Sequence, residues 1–196
     1  MTVTEEVLRK SSDHGFEDQQ FVERLDVVFA NLYFKALRDH ASDPRTCARC
    51  WIPLFQARSS SRIAPIQFAL AGMNAHINHD LVLALADTCR ELEREPERDT
   101  PHYRDFRHIN ELLAEAQEKI EPWFKRGVLG ILDRLLGRAD EVAQIWSIER
   151  ARENAWVQTE ALWLIRAQEL LTERFLLALD RTVGFAGRGL LLERPF

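Results

Sequence analysis

Glycine and proline are scarce in this chain, with 8 and 7 among 196 residues. That is too little punctuation for an all-β fold, which needs a tight turn every few residues. Cysteine is scarcer still, at 3. An odd count that small excludes a disulfide scaffold and suits a reducing compartment. Basic residues are the minority, since 26 Lys and Arg against 31 Asp and Glu give a formal charge of −5. Such a balance argues against a nucleic-acid or anionic-membrane partner. Long uninterrupted apolar runs are missing too. The most hydrophobic stretch, 63–86, is broken by Gln67, Asn74, His76, Asn78, His79 and Asp80, a polar density too costly for hydrocarbon. Met1 to Glu6 is polar and acidic, so no secretory signal is expected and the expected location is cytoplasmic.

What is present is an ordinary globular composition, 46% apolar and 29% charged, in a chain long enough for one sizeable core. No repeat or linker divides it, which predicts a single domain over 1–196 with 1–16 and 184–196 peripheral. No run alternates apolar and polar residues over a strand's length, whereas helical spacing recurs throughout. The expected fold is all-α, a single-domain bundle of about six helices around a central helix with a polar core.

Phe21, Leu25, Val28, Phe29, Leu32 and Leu37 predict a helix over 17–40. Asp43 and Pro44 read as an N-cap and first helical position of a shorter helix, disturbed at Pro53. Ser59 to Arg62 reads as a loop, 63–94 as a long helix, and Glu91 to Asp99 as a solvated connection. Thr100 and Pro101 open a helix to about Glu121, and Pro122 restarts one to about Leu136, ended by Gly137. The stretch 139–183 holds neither Gly nor Pro. As one helix it would be roughly 65 Å long, so a break is expected near Ser147 to Arg152. From Gly184 onward a surface loop is expected.

Cys47 and Cys50 form a C-x-x-C. A structural zinc site needs four ligands and only Cys89 remains, while a thioredoxin-type motif needs a preceding strand. Packing within a helix is the expectation for all three thiols.

The informative segment is Ile66 to Leu85, apolar all round outside one polar cluster. At helical spacing His76, His79, Asp80 and Asp87 share an arc of about 100°, while Gln67, Asn74 and Asn78 form a second stripe on the opposite side. Polar groups in a buried helix must find partners, because each one left unpaired costs about 1–3 kcal/mol. Three readings stay open. His76 with Asp80, or His76 with His79, converges on a divalent metal with further ligands from neighbouring helices; or His76 is a general acid–base tuned by Asp80; or the cluster, with Asn74 and Asn78 bonding to neighbouring backbone, only fixes packing.

The run Gly72 to Leu81, G-M-N-A-H-I-N-H-D-L, resembles the M-N-A-H-I-N-x-D-L signature of a bacterial all-helical family of unknown function common in actinobacteria. The resemblance implies importance for Asn74, His76, Asn78 and Asp80, places His79 at the variable position, and assigns no activity.

Partners for this cluster are expected from two helices. His102 lies on the apolar stripe of Phe106, Ile109, Leu113 and Ile120 and is a candidate to face His76. Trp156, Glu160 and Trp163 share one arc with Glu153 at its edge. Glu160 or Glu153 is a candidate second carboxylate, and the two indoles are candidate walls of an apolar ligand cavity. The function expected is an enzyme acting on a small, largely apolar molecule with His76, Asp80 and Glu160 as its machinery, with or without a metal. The alternative is a non-catalytic ligand-binding or protein-interaction bundle.

Overall fold

The computed structural model describes residues 15–110, 113 and 148–193. The fold is all-α, with no strand among the described residues, and no described helix is long and apolar enough to cross a membrane. The expected segment 122–136 and its Gly137 stop lie outside the described residues. The helices are α1 (Gln19–Ser42), α2 (Ile52–Ala57), α3 (Pro65–Ala75), a π-helical turn (His76–Asp80) and α4 (Leu81–Glu91), then α5 (101–110), α6 (Ile148–Ile165) and α7 (Glu169–Leu190).

The chain forms two compact units, Met1–Glu23 with Glu97–Glu153, and Arg24–Pro96 with Asn154–Phe196. In the first, the Asp105 carboxylate accepts the backbone N–H groups of Glu17 and Asp18 at 3.0 and 2.6 Å, satisfying orphan donors where α1 begins. The expected cap at Thr100 is present, its hydroxyl accepting Tyr103 N–H at 3.3 Å. Arg152 is buried, donates to Asn110, and lies 4.4 Å from the centre of the Phe106 ring.

The second unit is built around α3, the π turn and α4. Leu81, Val82, Ala84, Leu85 and Cys89 are fully buried, so the central helix sits in the interior, as its sequence predicts. It packs along α7. Gly184 sits at the tightest approach: a Cβ there would meet the Arg49 carbonyl oxygen at 2.8 Å.

Three local expectations are corrected, and a fourth in part. Asp43 caps no helix; its carboxylate accepts Arg45 N–H at 3.0 Å in a turn, and the next helix waits until Ile52. Pro53 does not disturb that helix but starts it, in the first turn where a missing N–H costs nothing. The break expected near Ser147 to Arg152 falls partly outside the described residues; the described run is helical over Ile148–Ile165 and breaks at 166–168. That break needs no Gly or Pro because side chains take the freed carbonyls: Arg166 bonds Trp163 O at 2.6 Å and Thr172 bonds Ile165 O at 3.1 Å. Finally, residues from Gly184 to Leu190 are helix rather than loop, with Gly184 and Gly187 buried as small contact positions.

Candidate functional site

The π turn carries the cluster. Leu81 N–H reaches back to the His76 carbonyl, five residues away, so one extra residue is accommodated between two α-helical halves. Such bulges are rare and concentrate at functional sites. Asp87, two α-helical turns beyond Asp80, pairs with Arg90 at 2.5 Å on the surface.

Asp80, 2% exposed, is the hub. Its Oδ2 accepts the Trp51 indole N–H at 3.0 Å and lies 3.0 Å from His76 Nδ1, while its Oδ1 lies 2.8 Å from His79 Nδ1. Burial alone would raise the Asp80 carboxyl, but the hydrogen bonds from His76 and His79 outweigh it and hold it below the usual range. An ionised carboxylate only accepts. Both imidazoles must therefore donate from Nδ1, which leaves Nε2 of each as the nitrogen facing away from Asp80.

His76 lies flat on Phe29, with ring centroids 3.6 Å apart and planes 7° from parallel. Its side chain is 27% exposed, and among the described residues its Nε2 has no hydrogen-bond partner. It lines a cavity of about 440 Å³ whose other walls are largely apolar, with Tyr33, Trp51, Leu54, Phe55, Phe68 and Met73, and with Arg58 as the cation. The size matches a small-molecule pocket.

His79 is buried on another side of Asp80. Its Nε2 is 3.8 Å from Asp180 Oδ1, and the Asp180 carboxylate accepts the backbone N–H groups of Arg49 and Cys50 at 3.1 and 2.8 Å. Burial, then the charges of Asp80 and Asp180, push the Cys50 thiol far above its ordinary range. Cys47 has separate surroundings: its sulfur meets Ala36 O at 3.5 Å, and burial pushes it up to about 11.

The second polar stripe holds α7. Asn74 donates to Val183 O at 3.0 Å and receives Asn78 at 3.1 Å. Gln67 donates to Leu190 O and Leu192 O at 2.9 and 3.0 Å, satisfying carbonyls at the helix end.

The structure thus joins His76 to Asp80, while Asn74 and Asn78 bond to each other and to α7. Each of the other expected partners has contacts or surroundings of its own. His102 has partners within its own unit, Thr100 at 3.2 Å and the Phe21 ring at 4.9 Å. Glu153 accepts the Tyr103 hydroxyl at 2.6 Å, and Glu160, half-buried on α6, does not line the cavity. Trp156 is buried in the core. Trp163 lines a separate small cavity of about 100 Å³ with Leu83, Asp87 and Arg166, and Arg166 stacks on it at 4.4 Å. The aromatic walls come instead from Tyr33, Trp51, Phe55 and Phe68, to which sequence reasoning gives no such role. It also misses Asp180 and underrates His79. Only the position of Trp51 directly after the C-x-x-C offers a signal.

No curated protein and no solved structure matches the chain. A family model does, over residues 1–193, so the chain belongs to a family of unknown function, DUF5995.

Proposed function

We propose that the protein is an enzyme acting on a small, largely apolar molecule, with His76 as general acid–base and Asp80 as the residue that orients it. One observation carries this reading: the His76–Asp80 hydrogen bond leaves Nε2 uncommitted on a ring that lines a 440 Å³ apolar cavity. In that geometry Nε2 takes a proton from the bound molecule and returns it in a later step. Nδ1–H stays on Asp80, whose charge stabilises the imidazolium formed in between. Arg58 is the cation of the cavity wall and suits an oxygen that gains negative charge. Hydrolysis, elimination, isomerisation and cyclisation all share this proton transfer. Glu160 has no part in the proposal. Nor does a metal held by His76 and Asp80, because Trp51 N–H and His76 already share Asp80 Oδ2. Three free, buried cysteines suit the reducing cytoplasm, where we place the protein.

A second reading is a non-catalytic ligand-binding or interaction domain. It is favoured by the three donors on Asp80, which explain a buried carboxylate without chemistry. A panel of activated esters and β-elimination substrates separates the two. Turnover by the full chain that falls about 10²–10⁴-fold in His76→Gln supports catalysis. Binding of an apolar fluorescent probe with no His76-dependent turnover supports the second reading.

A further inference from the structure

We propose a divalent metal site of the zinc class formed by Cys50 Sγ, His79 Nε2 and a carboxylate oxygen of Asp180. It is independent of the acid–base proposal, since His76 is not among its ligands.

The three donor atoms lie within 4.8 Å of one another, on residues that are buried or nearly so. Metal–ligand bonds of about 2.0–2.3 Å at tetrahedral angles place donor atoms roughly 3.3–3.7 Å apart. A closing shift on the order of 1 Å therefore brings the set onto an ion. The residues come from three segments, the turn before α2, the π turn and α7, and all belong to one compact unit.

The orientation of His79 is the independent observation. Its Nδ1 is committed to Asp80 at 2.8 Å, so in the neutral ring Nε2 carries a lone pair. That lone pair looks at Asp180 Oδ1 across 3.8 Å, too far for a hydrogen bond and with an acceptor on each side. A cation between them resolves the conflict. A histidine whose far nitrogen donates to a carboxylate is also the arrangement that fixes metal-ligating imidazoles in place. One thiolate and one carboxylate neutralise a divalent ion, and mixed sulfur, nitrogen and oxygen donors select zinc or cobalt over magnesium or calcium. Three protein ligands leave a fourth position, and Asp180, with its side chain 17% exposed, is the edge nearest solvent.

The test is titration of the chelator-treated full chain with Co²⁺. The expected result is one equivalent bound, with intense four-coordinate visible bands and a thiolate-to-cobalt charge-transfer absorption that Zn²⁺ abolishes by displacement. Cys50→Ser should remove the charge-transfer absorption, whereas Cys47→Ser and Cys89→Ser keep it. His79→Gln and Asp180→Asn should weaken binding at least tenfold, and His76→Gln should leave it unchanged. The site is overturned if the wild-type chain takes up no stoichiometric Co²⁺, or binds it without a thiolate band. A spectrum unaltered in Cys50→Ser overturns it equally. Asp180→Asn also loses part of its grip on the Arg49 and Cys50 amides, so each variant's circular dichroism accompanies its titration. The wild-type spectrum decides the matter even where a variant fails to fold.

Discussion

Trp51 and Asp80 are joined by a buried hydrogen bond, indole Nε1–H to carboxylate Oδ2, at 3.0 Å. The bond ties the start of α2 to the end of the π turn and fixes the carboxylate that orients both histidines. Trp51→Phe keeps an aromatic ring but removes the donor and some volume. A lost bond to a charged acceptor, with a partly filled void, predicts a loss of about 2–4 kcal/mol. Urea unfolding with an unchanged m value measures it. A loss under about 0.5 kcal/mol would show that the indole N–H contributes nothing to holding Asp80.

Gly184 and Gly189, on the same helix, should respond to alanine with opposite signs. At Gly184 a Cβ would meet the Arg49 carbonyl oxygen at 2.8 Å, a backbone atom that cannot swing aside, whereas nothing lies within 4 Å at Gly189. Gly184→Ala should cost about 1–3 kcal/mol through overpacking. Gly189→Ala should gain up to about 1 kcal/mol of helix propensity, less for its place in the last turn. Thermal unfolding of the two variants checks the pair, and equal signs would refute the close approach of α7 to the turn before α2.

The contrast between legible and hidden features has a physical origin. Periodicity reports which face of one helix is dry, so Phe21 and Leu25, the Thr100 cap and the buried run after Leu81 can all be read from the chain. The importance of His76 and Asp80 comes from the cost of burying unpaired polar groups. Periodicity assumes a constant turn, however, and the π turn breaks that assumption at His76–Asp80. Helical spacing also groups Asp87 with Asp80 by angle alone, although it lies two turns further along and pairs with Arg90 at the surface. Asp180 and Trp51 join the site through contacts 131 and 29 residues distant in sequence. Each looks ordinary within its own segment, an acid on an amphipathic helix and an indole near a turn. Nothing local distinguishes them, just as nothing local shows that side chains end α6 without a glycine.

Gln67 is 2% exposed, and its amide spans two carbonyls at the end of α7, Leu190 O and Leu192 O. Gln67→Leu preserves much of the volume but leaves those acceptors and the Ala64 N–H, which Gln67 Oε1 receives at 3.0 Å, without their partner. The expected cost is about 1–3 kcal/mol. Amide exchange should speed up at the C-terminal turn of α7 and at Ala64 while α4 stays protected. Uniform acceleration across the unit would instead mean that Gln67 acts only through global stability.

Tyr103 donates its hydroxyl to Glu153 at 2.6 Å. Burial, then that hydrogen bond and the Glu153 charge, raise the phenol above its usual range. This shift has a definite sign for stability. An unfolded phenol releases its proton near about pH 10, and the folded one retains it to higher pH. The unfolded state therefore binds fewer protons there, and stability falls as pH rises past the unfolded value. Ultraviolet titration of the two tyrosines should show a late-ionising component that disappears in Tyr103→Phe. It should move to lower pH in Glu153→Gln, which keeps an acceptor but removes the charge. If Glu153→Gln leaves the late component where it was, burial alone sets the phenol, and the ion at Glu153 is a bystander.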